Sequence, residues 1–562
     1  MNDEAPRPQP TALPARPLRP PVAAVVLACV VFVLAVVQVR GWDGRTNADG
    51  VSYLDLAARY GAGDWRALAN GYWSPLYPLL LGAALRLARV ASGDGAAELR
   101  TVFAVNVAIL TGTALAFARL ARVMLTPARP HPSQLVTALR AAAAGALCVF
   151  AEIRLINATT ITPDGLLAGI LFLVSADLAL AAGRGSDRRR DLRVGALLAL
   201  GFWTKAVFFP VAVVSMAAYV LATRPPRNRR VLPRVLLTAI LAAAPLIAVQ
   251  SWSQGRPSFG ETGRLNYRWF VLGGEHAEPV TEPVEATRRR TTPAAVALDG
   301  VPGAVLFAGE AHGSFPYWYD PSRYEPPGIG TLALQPQWTI FRFNLHWLRV
   351  TAGLLASMAA IAIGAALARG RPRWRRLWMT VPAVTTLVLY LLTHPEGRMG
   401  AAPIACVLLA MLALVEVGRG GRRWAALVVE GAALGAFGAV ALGRTSNRVP
   451  SAPTHTLAAA GALAGSLRAA GLHAGDEIGV VGDGYGLRWA HEIGARVVVT
   501  VPTLSRHPTV DDATLVAAAA ESAARGHPLR AFVYPVNAAV ESRRAIPVRG
   551  GWLLWPAPEQ SR

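Results

Sequence analysis

Charge is scarce in this chain: Asp, Glu, Lys and Arg together make up 16% of its 562 residues, where a soluble globular protein carries about a quarter. Cysteine is scarcer still. Cys29, Cys148 and Cys406 all lie inside apolar runs, which excludes a disulfide framework or a cysteine metal cluster and reads them as small core residues. What abounds is apolar sequence, 53% of the chain, in runs that approach or exceed the roughly 20 residues needed to cross a hydrocarbon core. An ordinary soluble fold is excluded, and the class is a polytopic α-helical membrane protein.

The formal charge of +22 does not point to nucleic acid. The basic residues sit in short clusters between apolar runs, "RGSDRRRDLR", "RPPRNRR", "RGRPRWRR" and "RGGRR", the pattern of cytoplasmic loops. The proline-rich residues 1–21 read as a disordered cytoplasmic tail. They lead into an apolar run too long for a signal peptide, an uncleaved first helix with its N-terminus inside. Spanning helices are expected at 22–40, 101–121, 140–155, 164–183, 194–205, 206–223, 235–250, 346–368, 377–393, 401–418 and 423–442. The candidate at 75–90 is left out: counting it would turn all four basic clusters outward, and it carries Arg86 and Arg89. It reads as an interfacial or re-entrant helix on the outer side.

About eleven spans then leave the long segments 41–100 and 251–345, and everything after 443, on the outer side, so chemistry is expected there. Asp49 and Asp55 lie in "NADGVSYLDLA", and Asp164 in "ITPDGLLAG". Pro163 and Asp164 also simply suit the first turn of a helix. Lys205, in "GFWTKAVFFP", is flanked by apolar residues and needs either a partner or a route to the surface. His394, Glu396 and Arg398 form a polar knot in "THPEGRMG"; the arginine suits a phosphate, although a local Glu–Arg pair also explains it. A carboxylate can deprotonate an acceptor hydroxyl while cations stabilise a leaving phosphate.

Taken in order, "NADGVSYLDLA", "NGYWSPLYPLLLG", "TPDGLLA", "TKAVFFP" and "HPEGRMG" resemble the GT-C superfamily of integral-membrane glycosyltransferases. The likeness is to the protein-mannosyltransferase and lipid A aminoarabinose transferase branch, and it covers roughly residues 20–445. "FGETGRLNYRWF" and "GSFPYWYDPSRY" resemble the substrate loop of bacterial members. The resemblance implies Asp49 as catalytic base and Asp164 as second acid. It implies a polyprenyl-phosphate sugar donor held through Lys205 and Arg398. Asp55, Glu261, Arg264, Tyr267, Asp320, His394 and Glu396 are further candidates for substrate binding, with Asn266, Tyr317, Trp318 and Tyr319 supplying stacking faces and polar groups. Many members carry two adjacent acids in the first loop. Here Ala48 precedes a single Asp49, so no obligatory metal is expected. The polar stretch "EPVEATRRRTTPAAVALDG" is read as a lid.

After 443 the sequence becomes soluble in character. Helices at 454–470, 485–494 and 511–525 alternate with strands at 476–482 and 496–501, near "RAFVYP" and near "GWLLWP". This predicts a small α/β domain over 444–562 with mostly parallel strands. "GVVGDGYGLRW" lacks the spacing of a dinucleotide turn and a P-loop lysine, so the domain is read as accessory. The expected whole is a GT-C-like transmembrane domain over 22–443 and an outer α/β domain in a bacterial cytoplasmic membrane. Its partners are membrane lipids, a lipid-linked sugar and a glycan, lipid or protein acceptor. A non-catalytic transporter, flippase or binding protein for lipid-linked sugars is the alternative. It would place charges at mid-membrane depth, whereas the apolar runs here are nearly free of charge.

Overall fold

The computed structural model describes residues 22–125, 134–184, 187–223, 230–273, 295–349, 378–414 and 457–554, apart from gaps at 92, 300, 302, 308–312, 326–331, 483–486, 502–511, 535–544 and 549–550. The expected tail 1–21, the span 423–442, most of the span 346–368 and most of the expected lid lie outside the described residues. In chain order the helices are α1 (Val22–Arg40), α2 (Ala48–Gly61), α3 (Leu76–Leu87), α4 (Gly95–Leu125), α5 (Gln134–Val149), α6 (Asp164–Arg184), α7 (Arg188–Thr204), α8 (Phe208–Ala222), α9 (Val231–Gln254) and α10 (Thr262–Phe270). They continue with α11 (Pro316–Tyr319), α12 (334–349), α13 (Val381–Leu391) and α14 (Gly397–Leu414).

Four of the described helices, α1, α4, α6 and α9, are long and apolar enough to cross a membrane, so the chain is a multi-pass membrane protein. They gather with α5, α7, α8, α13 and α14 around one core that includes Val31, Phe117, Leu171, Leu198, Tyr219 and Leu409. Several helices begin earlier than hydropathy predicts, and in two of them a cap and not an apolar residue makes the start. Asp94 accepts from Ala97 N at 2.9 Å ahead of α4, and Asp187 accepts from Arg190 N at 2.9 Å ahead of α7. The excluded candidate forms α3, whose 12 residues reach about 18 Å. It lies on α2 at a point of close backbone approach: a Cβ on Gly82 would stand 2.5 Å from the Ala57 carbonyl oxygen.

At one end of the bundle lies a second layer. Its helices are α15 (Leu457–Ala469), α16 (Arg488–Ile493) and α17 (Asp512–Ala524). Its strands are β1 (Ala295–Ala297), β2 (Val305–Phe307), β3 (Glu477–Val481), β4 (Arg496–Val501), β5 (Ala531–Tyr534), β6 (Ala545–Val548) and β7 (Gly551–Leu554). They form one sheet in the order β1-β2-β4-β3-β5-β7-β6. This corrects two expectations. Only β3–β4 and β3–β5 are parallel, while β1–β2, β2–β4, β5–β7 and β6–β7 are antiparallel. Each of the two parallel pairings has a helix between its strands to make the crossover that a parallel pair requires. The sheet also recruits β1 and β2 from the long segment before α12, so it is not built from the C-terminal residues alone.

Buried charge joins this layer to the bundle. His491 of α16 places Nδ1 2.5 Å from an Asp55 oxygen of α2, and Nε2 3.0 Å from Glu98 of α4. The other Asp55 oxygen accepts from Ser314 N at 2.8 Å and Ser314 Oγ at 2.7 Å. Arg488, fully buried, donates to Glu98 and to Glu492, the latter at 3.2 Å. With both ring nitrogens facing carboxylates, the imidazolium is the fitting form. Burial alone would lower the His491 pKa, but Glu98 and Asp55 outweigh it and raise it to about 10. A folded-state value above the unfolded one, about 6.5, stabilises fully below that pH and is lost as pH rises through about 10. The thermal midpoint of the wild type should therefore fall between about pH 7 and pH 10. His491→Gln should lower the midpoint at neutral pH and flatten that fall; an unchanged pH slope in the variant would refute the lock.

Candidate active site

The residues 157–163 ahead of α6 are fixed from three sides. Gln38, near the end of α1, donates to Ile153 O at 2.6 Å and accepts from Ala158 N at 3.2 Å. Asn106 of α4 donates to Ala158 O at 3.0 Å and Thr160 O at 3.2 Å, and accepts from the Tyr77 hydroxyl of α3 at 2.8 Å. Asn47, just before α2, accepts from Ile161 N at 3.1 Å and donates to Ile161 O at 3.3 Å. Asn157 turns the chain at φ 70°, a conformation that Asn tolerates better than most residues. The Asn47 clamp brings the first turn of α2, with Asp49, beside the first residue of α6, Asp164.

Two further segments close on the same place. α7 and α8 fold back on each other at Lys205, whose N–H donates to Gly201 O at 2.9 Å. A Cβ on Gly201 would stand 2.1 Å from the Phe208 ring, so this turn needs glycine. The turn between α13 and α14 is held by α12: Asn344 donates to Leu391 O and Thr393 O, both at 3.0 Å, and Gln337 to Leu392 O at 2.7 Å. His394 stacks on Phe270 at 4.2 Å.

The result is a compact charge cluster. Lys205 Nζ is 2.7 Å from Asp164 Oδ1, and its ammonium sits 5.8 Å from the Tyr390 ring centre. Arg398 Nη2 is 2.7 Å from Asp49 Oδ2, and its Nε lies 3.7 Å from Asp164 Oδ2. Glu396 takes Arg398 Nε at 2.8 Å and Nη2 at 3.0 Å. The two acids differ in access: the Asp164 side chain is 2% exposed and that of Asp49 is 24% exposed. Asp164 is thus enclosed by its partners, while Asp49 remains reachable from solvent. The cations are equally sheltered, Arg398 at 11% and Lys205 at 18%. Among the described residues no group of three or more His, Cys, Asp or Glu side chains is arranged to hold a metal ion.

The remaining candidates are not gathered with Asp49. Asp55, on another face of α2, is spent on His491 and Ser314. Glu261 is buried against Arg264 and Arg256, both at 2.6 Å, and Ser258 at 2.8 Å. Burial would raise its pKa, but Arg264, Ser258 and Arg256 hold it below the ordinary glutamate value. Asp320 accepts from Gly71 N, Ser322 and Arg323, and the Tyr267 hydroxyl accepts from Ala333 N at 3.1 Å. Trp318 packs among Tyr72, Trp73 and Trp269 with ring centres 5.5–5.9 Å away, and Asn266 accepts from the Tyr72 hydroxyl at 3.1 Å. Tyr317 and Tyr319 are buried in the same layer. The positioning residues Asn47, Gln38, Asn106 and Asn344 were not among the candidates. Gln38, Asn106 and Asn344 lie outside the quoted motifs, and Asn47 opens "NADGVSYLDLA" as an ordinary polar residue beside its acid. One signal for Lys205 was present in the composition: it is the only lysine in the sequence.

No family model and no curated protein sequence matches the chain. Solved structures do. Lipid A aminoarabinose transferase, ArnT, from Cupriavidus metallidurans is similar in the apo state, at TM-score 0.48 and 12% identity over 95% of this chain and 97% of that one. Bound to undecaprenyl phosphate, ArnT is similar at TM-score 0.46 and 13% identity, over 95% and 98%. The oligosaccharyltransferase of Archaeoglobus fulgidus, tethered with an acceptor peptide containing the NVT sequon, is similar at TM-score 0.50 and 10% identity over 91% of this chain and 68% of that one. Both enzymes are GT-C superfamily members, and the similarity to the oligosaccharyltransferase gives the chain described here the GT-C fold.

Proposed function

We propose that the protein is an inverting membrane glycosyltransferase, moving a sugar from a polyprenyl-phosphate carrier to a hydroxyl on an envelope glycan, lipid or protein. The observation that carries this reading is the meeting of Asp49, Asp164, Lys205 and Arg398 at one end of the bundle, with Asp49 the more accessible acid. Asp49 takes the acceptor hydroxyl proton as the oxygen attacks the anomeric carbon. The bond from that carbon to the phosphate oxygen breaks, and its electron pair stays on the phosphate, where Arg398 and Lys205 stabilise the added charge. Asp164 holds both cations in place. The donor class rests on these cations and on the sequence resemblance; the sugar and acceptor are left open.

The cluster and the sheet layer share one end of the bundle, read as the outer face because Arg188, Arg189 and Arg190 begin α7 at the end of that helix away from Lys205. A cysteine at Leu80, on the exposed side of α3, should then react with a membrane-impermeant thiol reagent added from outside to cells in which Cys29 is replaced by serine. Reaction only after the inner side is opened would reverse the orientation.

The two acids should fail differently. Asp49→Asn should lower transfer from labelled polyprenyl-phosphate sugars by about 10²–10⁴-fold with little change in thermal midpoint; full activity in this variant would exclude Asp49 as base. Asp164→Asn leaves the Lys205 ammonium without its carboxylate and should cost about 3–5 kcal/mol of stability. Pairing it with Lys205→Met should restore much of that loss. A double variant as unstable as the sum of the two singles would show that they do not act as a pair.

A further inference from the structure

Glu396 is the one carboxylate of the cluster placed to leave it. Its side chain is 38% exposed, against 24% for Asp49 and 2% for Asp164. Among the described residues, its carboxylate bonds only to Arg398. It occupies the Nε and Nη2 positions of the guanidinium, the paired edge by which arginine takes a carboxylate or a phosphate bidentately. Asp49 shares only Nη2, and Asp164 stands off at 3.7 Å.

The charge count makes this occupancy matter. Three carboxylates, Asp49, Asp164 and Glu396, face two cations, Lys205 and Arg398, a formal balance of −1. A phosphate entering this sheltered site would add negative charge where every cation is already matched, and like charges at close range in low dielectric are costly. Exchange with Glu396 avoids that penalty. The backbone permits it: the Glu396 carbonyl is held by Met399 N and Gly400 N, both at 3.0 Å, so the side chain alone needs to swing towards solvent.

We propose that Glu396 is a displaceable counter-anion of Arg398. It holds the guanidinium fork in the empty site, yields it to the phosphate of the lipid-linked donor, and retakes it to expel the lipid phosphate product. The inference rests on the donor class proposed above. Loss of the sugar turns a phosphodiester into a monoester, whose extra charge strengthens its hold on Arg398. A competing carboxylate two residues away speeds release at the step where the ligand binds most tightly. Glu396 therefore acts through Arg398, as a positioning residue.

The test uses the full-length protein in detergent or nanodiscs, with polyprenyl phosphate alone as the probe. Glu396→Gln and Glu396→Ala should each bind it about tenfold more tightly than wild type. Combining either with Arg398→Lys, which cannot offer the fork, should abolish the gain. In transfer assays both single variants should show a lower KM for the donor together with a lower kcat, and stronger inhibition by added polyprenyl phosphate. A role confined to bracing Arg398 would not produce that split. Wild-type binding with equal or weaker binding by both variants would overturn the exchange and leave the proposed donor class standing. Absence of binding in wild type and variants alike would overturn both.

Discussion

An arginine in the first turn of a helix faces the positive end of the helix dipole, about +0.5 of a charge, and is unfavourable there by itself. Arg398, the second residue of α14, occupies such a position with its side chain largely sheltered from water. What makes it tolerable is that the N-termini of two further helices arrive at the same point, each carrying a carboxylate: Asp49 in the first turn of α2 and Asp164 at the start of α6. Each acid offsets the positive end of its own helix and the guanidinium together. The guanidinium in turn neutralises acids that sequence separation would never bring together. The turn that carries Lys205 completes the group, with its ammonium 2.7 Å from Asp164, while the spans themselves pack around a common apolar core.

Charges alone do not fix geometry to the tenths of an ångström that catalysis demands, and here amide side chains do so. Asn47, Gln38, Asn106 and Asn344 each bond backbone groups of a turn far away in sequence. Neutral amides suit the task, because they satisfy buried N–H and C=O groups without adding charge to a cluster already near balance. The single lysine has a comparable logic. Apart from the histidines, every other basic residue in the chain is arginine, and the position between Asp164 and the Tyr390 ring is filled by a compact ammonium and not by a planar fork.

The residues of the cluster were legible in the sequence because each is charged beside apolar runs, where an unpaired charge is costly. Their convergence was not, since it depends on how the helices of the bundle pack. Only the family resemblance, and not residue chemistry, separated Asp49 from Asp55 in the sequence. Six residues along a helix turn through about 600°, so the two acids face different surroundings, and only the fold shows that one meets Arg398 and the other His491. The spans were read well where apolar runs are long. Caps at Asp94 and Asp187 shifted two starts, because polar residues begin those helices. β1 and β2, each three residues long, are too short for a period-two pattern to register, which is why the recruited half of the sheet edge went unseen.

α2 is held just before its start, by Asn47 against the turn before α6, and at its middle, by Asp55 against His491 and Ser314 of the sheet layer. Asp49 lies between these two restraints and cannot move far without breaking one of them. Asp164 is pinned by Lys205, and Lys205 by the close packing of Gly201 on Phe208. Among the described residues the exposed Glu396 side chain is bonded only to Arg398, so on the proposed reading it is the part of the cluster that moves to admit and release a charged ligand. A site that works as proposed keeps Asp49, Lys205 and Arg398 fixed through the reaction, and confines the adjustment of charge to a single rotating carboxylate.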